Sequence, residues 1–166
     1  MASNCAWVHF CARMIELDHH DRAILGILQT DASVANATLA DRVGLSASAC
    51  LRRVQRLERD GVIARVVALL DARAIGRATT VFIEVTLDSQ REEVLGAFER
   101  AAAGCPDILE CHLMAGDFDY LLRIAVNGPQ EYERLHKQEL SRLPHVVRIK
   151  SSFALRTVVK RTDYPL

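Results

Sequence analysis

Ser48, Arg52, Gln55 and Arg59 recur at spacings that put them on one side of an α-helix, with Arg53 and Arg56 flanking them. Hydroxyl and amide groups of this kind can hydrogen-bond base edges. Guanidinium groups reach phosphate oxygens or the paired acceptors of guanine. On the other side Cys50, Leu51, Val54 and Leu57 fall at i, i+1, i+4 and i+7, one apolar stripe by which the helix can be held. An amphipathic helix with a solvated charged face has the same periodicity, so the decision rests on what surrounds the helix. A second group, Asp117 and Asp119 beside Gly116, presents two carboxylates in a tight turn. These could serve as a catalytic pair or as turn-forming residues that bond their own backbone. No base or nucleophile has a fixed spacing to them, which argues against catalysis.

The arginine-bearing helix lies in Asn36–Ile63, which reads as a short helix, a tight turn around Gly44, and a longer helix closed by Gly61. Ser46 is placed to cap the second helix. A further helix of about 19–29 is expected upstream, capped by Asp18, with Asp21 in its first turn and Ile24, Ile27 and Leu28 on its buried face. Three helices ending in an exposed, arginine-rich one make a helix-turn-helix module that could enter the major groove. Its candidate DNA contacts are Thr38, Ser46, Ala47, Ser48, Cys50, Arg52, Arg53, Gln55 and Arg56.

After Gly61 the period changes from 3.6 to 2. Val62–Leu70 is β-branched and apolar, and 65–79 reads as a linker strand followed by a turn with Gly76. From Thr80, Val81, Ile83, Val85 and Leu87 alternate with Phe82, Glu84 and Thr86. A helix over Gln90–Ala103 buries Val94, Leu95, Phe98 and Ala102. Strands follow at Ile108–Ala115 and Tyr120–Val126, then a helix opened by Gly128-Pro129 with Tyr132, Leu135, Leu140 and Leu143 inward. Val146–Leu155 is the last strand, alternating through Val147, Ile149, Ser151, Phe153 and Leu155. The order β-α-β-β-α-β is that of a ferredoxin-like unit, one antiparallel sheet with both helices on one face. The fold class is therefore α+β: a winged-helix-like helix-turn-helix over 17–64 and a ferredoxin-like domain over 80–166. One sheet face is left uncovered and partly apolar, which argues for self-association.

Half of the 166 residues are hydrophobic and a quarter charged, with zero net charge, so the chain is globular and lacks a global field attracting nucleic acid. Its positive charge is local to Ser46–Val66. Five cysteines form no CxxC pair and share no zinc spacing with histidine, so no metal site is expected. Their odd number, with no convincing secretory signal, points to the cytoplasm. No stretch is long enough to span a membrane. Residues 1–16 read as a leader, with Trp7 and Phe10 its only notable side chains. There is no phosphate loop, G-x-S-x-G or H-E-x-x-H, so neither a cofactor nor an enzymatic activity is expected.

From Leu17 to about Thr162 the chain resembles the Lrp/AsnC family, the leucine-responsive regulators of bacteria and archaea. The resemblance rests on LADRVGLS (Leu39–Ser46), CLRRVQRLERDGVI (Cys50–Ile63), ECHLMAGDFDYLLRI (Glu110–Ile124) and SRLPHV (Ser141–Val146). It implies a regulator of amino-acid metabolism genes in the bacterial nucleoid, binding double-stranded DNA and a small amino-acid effector. It also implies dimers that assemble into tetramers or octamers. The effector would meet Met114, Gly116, Asp117, Phe118, Asp119 and Tyr120, with Leu135 and His136 from an adjacent subunit. Two departures are Ala35, which leaves Asn36 to cap the turn's first helix, and Arg52, where leucine-responsive members carry an acid. Two other readings stay open on the residues alone. One is a metabolite-binding module or enzyme with a helical interaction domain, and the other is an architectural protein that wraps DNA without an effector.

Overall fold

The computed structural model describes residues 15–166, so the leader expected over 1–16 falls outside the described residues except for Ile15 and Glu16. The chain divides into two compact units, one running to Ala68 and joined by Val159–Leu166, the other spanning Leu69–Val158.

The first unit holds α1 (His19–Leu28), α2 (Asn36–Arg42) and α3 (Ala47–Arg59). Asp18 caps α1 in a reciprocal box with Asp21: Asp21 N donates to Asp18 Oδ1 at 2.9 Å, and Asp18 N donates to Asp21 Oδ2 at 3.2 Å. The core joins Ile24 and Leu25 to Leu39, Ala40, Val43, Cys50 and Leu57. The tail returns to this unit, where the Gln29 side-chain amide brackets the backbone of Tyr164, donating to its carbonyl at 3.2 Å and accepting from its N–H at 2.7 Å.

The second unit is one antiparallel sheet of β1 (Thr79–Leu87), β2 (Ile108–Leu113), β3 (Tyr120–Val126) and β4 (Val146–Phe153), in the order β2-β3-β1-β4. With α4 (Glu92–Gly104) and α5 (Pro129–Gln138) it completes the expected βαββαβ order. Val81, Ile83, Val85 and Leu87 of β1 point to the core with Leu122, Ile124, Phe98, Leu135 and Leu140. Burying each such side chain contributes about 1.5–3 kcal/mol before entropy is counted.

The expected alternation fails at two bulges. The partner of β1 shifts from Arg148 opposite Thr86 to Val146 opposite Leu87, which leaves Val147 exposed. A second shift between Ile108 and Glu110 likewise puts Leu109 out of step and in solvent. The strands also end at Leu113 and Phe153, short of Ala115 and Leu155. Val62–Leu70 joins no sheet, and Val66, Val67, Leu69 and Leu70 are exposed. The uncovered sheet face is more polar than alternation suggested: the cross-strand pairs Glu84–Lys150 at 3.1 Å and Glu110–Arg123 at 2.6 Å cross it beside the apolar Phe82. The Arg123 guanidinium holds the Glu110 carboxyl below its ordinary value.

Candidate DNA-reading face and effector loop

The helix-turn-helix is set by backbone chemistry at its two junctions. Gly44 adopts φ 68°, which lets Leu45 N reach back to Ala40 O at 2.9 Å and Gly44 N to Asp41 O at 3.3 Å. That is a Schellman stop, and the positive φ is why glycine stands there. Ser46 then caps α3, its hydroxyl accepting from Ala49 N at 3.3 Å. Asn36 does not cap α2, whose N-cap Ala35 has no side-chain bond. Asn36 Nδ2 instead donates to Ala47 O at 2.8 Å, joining the start of α2 to the start of α3.

The candidate DNA contacts separate into three groups. Thr38, Ser46, Ala47, Ser48, Arg52 and Gln55 are exposed. Cys50 is 0 % exposed and belongs to the core, so it cannot meet DNA. Arg53 and Arg56 are also removed from the reading set, because their guanidinium groups turn back to α1. Arg53 Nη1 lies 2.7 Å from Asp18 Oδ2 and 2.8 Å from Asp21 Oδ1, and Arg56 Nη2 lies 2.5 Å from Asp21 Oδ2. Asp21 is 1 % exposed. A buried carboxylate needs this double pairing, since an isolated one would be costly to desolvate. The Asp21 N–H and the Arg53 guanidinium also hold the Asp18 carboxyl down at about 2. Periodicity counted Arg53 and Arg56 as part of the solvated flank, whereas they are what fastens α3 to α1. The apolar stripe shifts accordingly: Leu51 is 45 % exposed and stands on the outer face.

The loop before β3 divides in the same way. Asp119 is 4 % exposed, and its carboxylate accepts from Leu87 N at 2.7 Å and Gln90 Nε2 at 2.7 Å. Its own N–H donates to Val85 O and its carbonyl accepts from Met114 N. Both oxygens are thus engaged in pinning the loop to the end of β1 and the entry to α4, and Asp119 is not free to bind an ammonium group. Tyr120 is buried against Phe98, with its hydroxyl donating to Glu99 at 2.8 Å. Burial and Glu99 raise its phenol strongly. Leu135 is core as well. These three are therefore framework, not effector contacts. Met114, Gly116 and Asp117 are exposed, Phe118 is half-buried, and the half-buried His136 lies 5.9 Å from the Tyr132 ring.

Asp117 and Phe118 border an open depression of about 410 Å³ over the outer sheet face, completed by Glu84, Thr86, Arg148 and Lys150. The sequence reading missed these four, although Glu84 and Thr86 on one strand and Arg148 and Lys150 on the other alternate outward. Register sets them side by side. Lys150 is neutralised by Glu84, while Arg148 meets only the Thr86 hydroxyl at 3.4 Å among the described residues. A Cβ at Gly116 would meet nothing within 4 Å, so it is the backbone, at φ 157°, and not packing that favours glycine there.

Residues 17–64 match the winged helix-turn-helix DNA-binding model and residues 80–164 the Lrp/AsnC ligand binding domain. The chain is 44 % identical over 131 residues to the leucine-responsive regulatory protein of Escherichia coli K12, covering 79 % of this chain and 80 % of that one. It belongs to the Lrp/AsnC family. A further relative, an uncharacterized HTH-type transcriptional regulator of Sinorhizobium fredii, is 48 % identical over 117 residues, covering 70 % of this chain and 92 % of its own. Among solved structures, an AsnC family transcriptional regulator of Agrobacterium tumefaciens matches with TM-score 0.86 and 38 % identity, covering 90 % of this chain and 97 % of that one. A transcriptional regulator from Neisseria meningitidis in complex with L-Met matches with TM-score 0.85 and 29 % identity, covering 90 % and 97 %. As a family member the chain is a transcriptional regulator with a DNA-binding helix-turn-helix module and a ligand-binding α+β domain, as its residues had suggested. Among the described residues no helix is long and apolar enough to cross a membrane.

Proposed function

We propose that this Lrp/AsnC regulator is a bacterial nucleoid-associated protein of the cytoplasm that couples a small amino acid to transcription of amino-acid metabolism genes. The observation that carries the effector reading is the match to the regulator in complex with L-Met, taken with the ligand-binding domain model. In this proposal residues 17–64 bind DNA, 65–79 connect, and 80–166 bind the effector and self-associate. Thr38, Ser46, Ala47, Ser48, Arg52 and Gln55 make the DNA contacts. Ser46 and Ser48 stand at the start of α3, where small polar groups approach base edges, with Arg52 about one turn further on and Gln55 about two.

The effector's two charges need two partners. Asp117, which has no hydrogen bond or ion pair among the described residues, suits the ammonium group, and Arg148 suits the carboxylate across the same depression. Met114, Gly116, Phe118 and an adjacent subunit's His136 complete the proposed surroundings. Dimers and their assembly into tetramers or octamers would cover the outer sheet face and the exposed Val66, Val67, Leu69 and Leu70. An effector that favours one assembly over another then alters DNA binding at a distance.

A thermal-shift screen of the twenty amino acids tests this. A ligand at one hundred times its Kd stabilises the folded state by about 2.7 kcal/mol. One amino acid should raise the melting temperature, and Asp117→Ala or Arg148→Ala should remove that rise while leaving ligand-free DNA binding unchanged. If no amino acid shifts the transition, the effector reading fails.

A further inference from the structure

Leu51 is the one residue of the expected apolar stripe of α3 that is not covered. Cys50 and Leu57 are fully buried and Val54 is half-buried against the three-helix core, whereas Leu51 is 45 % exposed. One residue turns an α-helix by about 100°, and that step carries Leu51 from the held side to the open one. There it sits four residues after Ala47, three after Ser48 and four before Gln55, so it neighbours all three on the helix surface. Ala47, Ser48 and Gln55 are exposed too. The resulting strip holds Ala47 and Leu51 beside the Ser48 hydroxyl and the Gln55 carboxamide, and Arg52 adjoins it.

We infer that Leu51 determines DNA sequence preference by packing on the C5 methyl of a thymine in the major groove. The inference rests on the reading that α3 is the helix entering that groove. Each base pair displays a distinct pattern there, and the thymine methyl is the feature that apolar side chains read. A leucine in this position has no hydrogen bond to offer and no phosphate to neutralise. Its exposed area can be dried only against another apolar group, and the methyl is the one that the major-groove edge supplies. The neighbouring Gln55 can take the paired donor and acceptor of an adenine, so the two side chains together favour A·T-containing steps. A second copy of this chain is the other occupant that could cover Leu51. The charged and polar neighbours Arg52, Gln55 and Ser48 favour the nucleic acid.

The test uses the full chain and sites selected from a random DNA pool at fixed salt. Each thymine of a selected site is replaced in turn by uracil, which deletes the methyl and leaves every hydrogen-bonding group. The wild type should lose about fourfold in affinity at one thymine of each half-site, the effect of one buried methyl-sized group. Leu51→Ala should bind the unmodified site more weakly and lose nothing further at that uracil. Leu51→Met, similar in volume, should keep the methyl sensitivity. The inference is overturned if no uracil weakens the wild type, or if Leu51→Ala remains as sensitive as the wild type. It is also overturned if Leu51→Ala changes the sedimentation of the DNA-free protein, which would make Leu51 a contact between copies. Failure of the wild type to select any DNA would instead remove the DNA-binding reading, and this inference with it.

Discussion

Asp21 and Arg56 lie 35 residues apart in the chain and 2.5 Å apart in space, the carboxylate 1 % exposed and the guanidinium reaching it from the other helix. Together with Arg53, this pair ties two arginines of α3 to α1, while Arg52 and Arg59 stay exposed.

Asp21→Ala should therefore destabilise the helix-turn-helix unit by about 1–3 kcal/mol, because it removes two charge-assisted hydrogen bonds and the return bond of the α1 cap, while the freed guanidinium groups are partly open to water. Urea unfolding monitored by circular dichroism measures it. A loss below about 1 kcal/mol, the range of exposed ion pairs, would show that the cluster is solvated in solution.

Asp18 predicts a pH dependence. Its carboxyl ordinarily titrates at 3.8 and is held at about 2 in the fold by the Asp21 N–H and then by Arg53. A depressed folded value means that its stabilising contribution is complete above 3.8 and is lost as the pH falls through about 2. The wild type should lose stability over that window more steeply than Asp18→Asn, whose side chain does not titrate. Parallel melting curves for the two proteins between pH 4.5 and pH 2, a range chosen to bracket roughly the unfolded and folded values, would refute the assignment.

The two aspartates of the loop should behave oppositely. Asp119→Ala leaves the buried Leu87 N–H without its acceptor and should cost about 1–3 kcal/mol. Asp117→Ala, on an exposed residue, should change stability by no more than about 0.5 kcal/mol. Chemical denaturation of both variants without ligand checks this, and equal losses would overturn the division of roles.

Much of this protein was legible from its residues because the signals are local. Ser46, Gly44 and Gly61 mark helix ends through their own backbone and side-chain chemistry, and the alternation of Val81, Ile83, Val85 and Leu87 follows from the period of a strand. The same local patterns could not show the bulges that expose Leu109 and Val147, since a bulge depends on the partner strand. Nor could they tell Arg53 from Arg52 or Asp119 from Asp117. Each pair consists of like charges one or two residues apart, and only groups brought from distant parts of the chain decide which member is tied down. Asp21 meets Arg53 across 32 residues, and Asp119 meets Leu87 across 32. Periodicity placed Leu51 in the core because it is apolar and adjacent to Cys50. Tertiary packing left it 45 % exposed, because the helical core meets α3 along Cys50, Val54 and Leu57, and one residue's turn of about 100° carries Leu51 away from Cys50 toward the open side.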